Sequence, residues 1–157
     1  MGVDFCCEDK SFSCSYSAWD SIRRGIIYAT YLYVREQPDG DERHNEYKHY
    51  LLTLFDSLIV DDVAHTNSVN IFVKHCHYTD SVVDSLNYFG VVGLYALCYK
   101  SDCDGFYSPG NSLDICILLD KLREIFDKHN IESVRFTDRV YDVFDTSYKT
   151  MNNVWIL

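Results

Sequence analysis

Positive charge is scarce in this chain: 14 Lys and Arg stand against 24 Asp and Glu over 157 residues, a formal net charge of −10. That balance argues against nucleic acid as a partner, because a phosphate backbone is held by stripes of Lys and Arg. No apolar run reaches the roughly 20 residues a membrane-spanning helix needs, so no transmembrane anchor is expected. The longest apolar stretch is Leu86–Tyr99, within the uncharged run between Asp84 and Lys100, and the closing Val154-Trp155-Ile156-Leu157 is far shorter. The start, Met1-Gly2-Val3-Asp4-Phe5-Cys6, has neither a basic n-region nor an apolar h-region, so it does not read as a signal peptide. The seven cysteines are irregularly spaced with no Cys-x-x-Cys pair, which suits a reduced, intracellular protein. Gly2 is placed as in a myristoylation signal, but Cys6 stands where Ser or Thr is wanted. Acylation of Cys6-Cys7 is a further option, and a flexible N-terminus over residues 1–16 is the plain reading. Gly-rich phosphate loops and Ser nucleophile elbows are also missing.

What the chain does have is apolar periodicity. Its 47% hydrophobic content argues against disorder, and 13 Tyr with 9 Phe supply large rings for a core or a groove. The length fits one domain, 17–157. Ser17 is the expected cap of a first helix, in which Trp19, Ile22, Ile26, Ala29 and Tyr33 share one face and Ile27, Tyr31 and Val34 widen it. Gln37-Pro38-Asp39-Gly40-Asp41 is the clearest loop. A helix at 46–59 follows, with Tyr47, Tyr50, Leu51, Leu54, Phe55, Leu58 and Ile59 at i, i+3, i+4, i+7, i+8, i+11 and i+12, closed by Asp61-Asp62. A helix at 67–78 carries Val69, Phe72, Val73 and Cys76 on one face before a break at Thr79-Asp80-Ser81.

Leu86–Tyr99 then reads as a central helix, apolar on every face, with Asp84-Ser85 as its cap. A buried strand is the rival reading. Gly90 and Gly93 each cost such a helix roughly 1 kcal/mol relative to Ala, which close approach by a neighbour would offset. Lys100 to Asn111 is a loop turning at Pro109-Gly110, and Asn111 or Ser112 caps a long helix bearing Leu113, Ile117, Leu118, Leu122, Ile125 and Phe126. Val134, Phe136, Val140, Tyr141, Val143 and Phe144 suggest one or two short closing helices. The expected fold is all-α, a bundle of about seven helices around the central apolar one.

Few residues advertise chemistry. His75-Cys76-His77 is the most tempting metal candidate, yet neighbours on a helix point about 100 degrees apart and cannot converge on one ion. Cys76 packed inward between solvated histidines is the simpler reading. No local signature supports a Cys–His nucleophile pair, so no enzyme, metal or cofactor is expected. Binding remains. Two successive amphipathic helices can leave a trough for the apolar face of a partner helix, although core burial explains the same stripes.

The order of elements is the stronger clue. Asn87-Tyr88-Phe89-Gly90-Val91-Val92-Gly93-Leu94-Tyr95 resembles the Asn-Trp-Gly-Arg region that opens the central helix of the Bcl-2 family of apoptosis regulators. Upstream, Leu51-Leu52-Thr53-Leu54-Phe55-Asp56 resembles the family's Leu-x-x-x-Gly-Asp core, with Phe55 in place of the Gly. The resemblance spans about residues 17–146, and the chain looks like a virally encoded homologue, one from an iridovirus being an option. It implies a Bcl-2-like bundle with anti-apoptotic, host–virus function. Its partner would be the BH3 helix, the helical death motif, of pro-apoptotic relatives of the Bim-like type. A homodimer is a further option, and the location would be the host cytoplasm, meeting mitochondria through partners. The implied groove has Tyr50, Leu51, Leu54, Phe55 and Leu58 on one wall and Val69, Phe72, Val73 and Cys76 on the other. Asn87, Tyr88, Gly90, Val91 and Leu94 lie beneath. Two departures stand out: the family's Arg falls on Gly90, leaving Lys74 or Arg43 as substitute cations, and Asn130-Ile131-Glu132-Ser133 replaces the family's Gly-Gly-Trp. A groove without that Arg should accept few ligands. The alternative functions are inhibition of innate immune signalling through outer helix faces of the same fold, and a Cys/His-dependent enzyme.

Overall fold

The computed structural model describes residues 2–99, 105–131 and 137–157. Helices dominate, but the chain is not all-α: a four-stranded antiparallel sheet joins the two ends of the sequence. Residues expected as a flexible start form a hairpin, β1 (Gly2–Cys7) and β2 (Lys10–Ser15), turning at Glu8-Asp9 with Glu8 at φ 54°. The cause is a period-two pattern hidden among serines. Val3, Phe5, Cys7 and Phe12 point inward and are buried, while Gly2, Asp4, Ser11 and Ser13 point out. Phe5 packs on Trp19 with ring centroids 4.6 Å apart, which fastens the hairpin to the helices.

The hairpin hands directly to α1 (Tyr16–Glu36), capped by Ser15, whose Oγ accepts from the Ala18 N–H at 3.1 Å. Trp19, Ile22, Ile26, Ala29 and Leu32 are buried along it. After the Pro38-Asp39-Gly40 loop, Asp41 caps α2 (Glu42–Leu58), accepting from the His44 N–H at 2.8 Å. Asp61 and Asp62, expected only as a helix end, take φ 51° and 61° and form the two-residue turn of a small hairpin, β3 (Ile59–Val60) and β4 (Val63–Ala64). Two consecutive left-handed residues match the twist of paired strands, and Asp tolerates that conformation better than most. α3 (Ser68–Tyr78) follows as expected.

The central stretch is not one helix. α4 (Asp80–Tyr88) ends, and α5 (Gly93–Tyr99) begins after a turn. Gly90 sits at φ 69°, its N–H donates to Asn87 O at 3.0 Å, and the Val91 N–H reaches back to Leu86 O at 2.9 Å. This pair of bonds is the glycine-terminated helix end known as the Schellman motif, with the apolar Leu86 and Val91 both enclosed. Gly90 therefore stops a helix instead of weakening one.

β5 (Gly105–Tyr107) leads into α6 (Pro109–His129), where Ser108 caps, Pro109 fills the first position and Asn130 closes at φ 52°. α7 (Thr137–Thr150) and β6 (Val154–Ile156) complete the chain; Val134 and Phe136 lie outside the described residues. Strand order is β2-β1-β6-β5. A buried chain of hydroxyls ties the last elements together: Ser112 Oγ donates to Ser147 Oγ at 2.8 Å, which donates to Asn152 O at 2.6 Å. Tyr107 is fully enclosed, donating to Leu97 O at 3.1 Å with its ring on Phe144. Among the described residues no helix is long and apolar enough to cross a membrane.

Candidate helix-binding trough

The stripe on α2 that defines the expected groove faces inward. Leu51, Phe55 and Leu58 are fully enclosed, as are Phe72 on α3 and Val91 and Leu94 below. Phe55 stacks on Phe72 at 6.3 Å and meets the edge of Tyr31 from α1, so these rings form the core between three helices. Leu54, Val69 and Cys76 keep 8%, 5% and 5% exposure. Tyr50, Val73 and Gly90 are half-buried; Asn87 and Tyr88 are exposed. The expected groove is thus closed along most of its length and open around Tyr50 and Leu54.

What opens there is a trough of about 670 Å³ lined by Glu46, His49, Tyr50, Thr53, Leu54, Ser57 and His75. Its volume falls within the range of ligand sites, about 300–1,000 Å³. Thr53 Oγ1 donates to His49 O at 2.9 Å and Ser57 Oγ donates to Leu54 O at 2.6 Å. Both hydroxyls are thereby satisfied by their own helix, and the wall they form turns its aliphatic atoms to the trough. Glu46, Tyr50, Thr53 and Ser57 repeat at steps of four, three and four, a helical stripe one position round from the buried one. The apolar stripe alone does not point to Glu46, His49, Thr53, Ser57 or His75; the available signal is the parallel run Glu46, Tyr50, Thr53 and Ser57 at steps of four, three and four, with small side chains at Thr53 and Ser57.

At the far end of α2 an aromatic knot joins it to α4. His44 Nδ1 and Tyr88 Oη lie 3.0 Å apart, His44 Nε2 lies 3.0 Å from Pro38 O, and Tyr47 packs on Tyr88 at 4.9 Å. The carbonyl requires Nε2 to donate, so in the neutral ring Nδ1 accepts from the tyrosine. Neither expected substitute cation lies at Gly90. Arg43 sits over the Tyr47 ring at 5.5 Å, and Lys74 is exposed on α3. The side chain against Gly90 is Lys121 of α6, its Nζ 3.2 Å from where a Cβ would stand.

Cys76 turns inward while His75 and His77 are exposed, and among the described residues no three His, Cys, Asp or Glu side chains group as metal ligands. Burial pushes the thiols of Cys76, Cys98 and Cys116 up to about 12, and raises that of Cys7 as well. A thiol so raised holds almost no thiolate at neutral pH and is a poor nucleophile. Iodoacetamide on the folded chain at neutral pH is expected to label the half-exposed Cys6 and Cys14 and to spare Cys7, Cys76, Cys98 and Cys116 until denaturant is added. Peptide mapping checks this, and fast labelling of Cys76 would contradict the packing of α3. Cys103 lies outside the described residues.

No protein-family model, curated protein or solved structure matches this chain.

Proposed function

We propose that this chain is an anti-apoptotic protein of the Bcl-2 kind that holds the helical death motif of a pro-apoptotic partner in the trough between α2 and α3. The observation that carries the reading is the trough itself, apolar around Tyr50 and Leu54 with hydroxyls folded away at Thr53 and Ser57. A helix laid along a repeat of three and four can seat its i, i+3 or i+4, and i+7 side chains there. The imidazole N–H groups of His49 and His75 on the walls can donate to acidic residues of a ligand, and Glu46 can accept from a basic one. Leu51, Phe55, Leu58 and Phe72 serve as the scaffold that fixes both walls rather than as contacts. No side chain replaces the family's Arg within the trough lining, so recognition rests on shape and apolar area and ligand range should be narrow.

Titrating a fluorescein-labelled death-motif peptide of the Bim-like type, followed by fluorescence polarisation, tests this. Saturable binding below about 1 μM is expected, a free energy of about −8 kcal/mol. Other death-motif peptides should bind at least about tenfold more weakly, a difference of about 1.4 kcal/mol. Absence of binding to every peptide of a broad panel would refute the reading. The full enclosure of Leu51, Phe55, Leu58 and Phe72 favours a second one, in which the same fold blocks innate immune signalling through outer helix faces. That reading is the one left standing if no death-motif helix binds.

A further inference from the structure

The sheet ends on an unguarded edge. On β1, the Asp4 N–H donates to Leu157 O at 3.3 Å and the Leu157 N–H donates to Asp4 O at 2.9 Å, so the backbone of Asp4 faces the C-terminal strand. By alternation, Val3, Phe5 and Cys7 face β2, where their register partners are Cys14, Phe12 and Lys10. The N–H and C=O groups of Ser11 and Ser13 therefore point away from the sheet. Both residues are exposed, and among the described residues neither backbone has a partner. Native edges are ordinarily protected by proline, a bulge or mid-strand charge. β2 pairs with β1 in unbroken register, contains no proline, and carries its one charge at the end, on Lys10.

We infer that β2 is the surface through which a second copy of this chain docks, edge to edge and antiparallel, about a two-fold axis at Phe12. In that register Ser11 of each copy stands opposite Ser13 of the other. The free donors and acceptors of one edge meet the same groups on its mate, and self-complementarity of this kind is what a two-fold interface demands. The result is a continuous eight-stranded sheet in the order β5-β6-β1-β2-β2-β1-β6-β5.

Charge fits the same register. Asp9 of one copy falls opposite Ser15 of the other, the residue that caps α1, and α1 has no acidic residue in its own first turn. Each copy thus supplies a carboxylate to the positive end of its neighbour's helix. The trough plays no part in this interface, so the inference stands or falls separately from the proposed ligand.

Sedimentation velocity of the full chain, with concentration-dependent hydrogen exchange, tests the pairing. A reversible dimer is expected, with amides of Ser11 and Ser13 gaining protection as concentration rises. Ser13→Pro removes only an outward-facing N–H, and should be monomeric where the wild type is dimeric, with the same helical circular dichroism. Asp9→Lys, on the turn, should weaken the dimer by about tenfold without touching the ladder. A wild type that stays monomeric to its solubility limit overturns the inference. So does a dimer protected at Gly105–Tyr107 instead, or one that Asp9→Lys leaves unchanged.

Discussion

Gly93→Ala is expected to cost the folded protein about 3 kcal/mol of stability or more. An added Cβ would run into Asp114 O and stand 2.6 Å from its carbonyl carbon and 2.9 Å from the Ile115 nitrogen. All three are backbone atoms of α6, so no rotamer change relieves the contact, and α5 must move bodily off its neighbour. Overpacking costs up to about 3 kcal/mol where side chains can adjust, and this site belongs at or beyond that figure. In a domain of this size that corresponds to a fall of about 10 °C in melting temperature, read by thermal circular dichroism. Gly90→Ala is the internal comparison. It meets only the flexible end of Lys121, and its expense is the left-handed φ of 69°, about 1 kcal/mol. If Gly93→Ala melts like the wild type, α5 does not lie against α6 as described.

Thr53→Arg should weaken ligand binding strongly without disturbing the fold. Thr53 is exposed, and among the described residues its hydroxyl bonds only to its own helix, so stability is expected to stay within about 0.5 kcal/mol. A guanidinium on a long stem placed there fills the space a ligand helix would occupy. Affinity for the death-motif peptide should drop by about 100-fold, near 2.7 kcal/mol. Thr53→Ser should retain it. Leu51→Glu, in the groove wall that the resemblance implies, is a poorer probe: Leu51 is fully enclosed, and a carboxylate there would unfold the chain before it tested the site.

The long helices were legible because each buries one stripe, and the stripes of α1, α2, α3 and α6 survive in the sequence at three- and four-residue steps. The caps of α1 and α6 lie a few residues before the expected Ser17 and Asn111 or Ser112, because Ser15 and Ser108 compete with them for the same role, and α2 starts at Glu42 rather than 46 because Asp41 caps it. The hairpin was illegible for a different reason. Its alternation is carried by three or four apolar residues between serines, too few to outweigh a polar composition, and its partner strand β6 is at the other end of the chain. Leu86–Tyr99 misled because absence of charge reports burial and not continuity. In sequence Gly90 reads as a helix penalty, whereas the two hydrogen bonds around it make it the place where a helix stops. The site was half legible. Tyr50 and Leu54 line the open space as expected, but apolar stripes mark what is buried, and a trough on the surface is bounded by the residues just beside the stripe.

The decisive measurement is amide chemical-shift mapping of the ¹⁵N-labelled full chain titrated with an unlabelled Bim-like death-motif peptide. Saturable shifts are expected at Tyr50, Thr53, Ser57 and His75, with the β2 residues Ser11 and Ser13 unmoved at constant protein concentration. Shifts confined to the outer faces of α6 and α7, or no shifts at a large excess of peptide, would contradict binding in the trough.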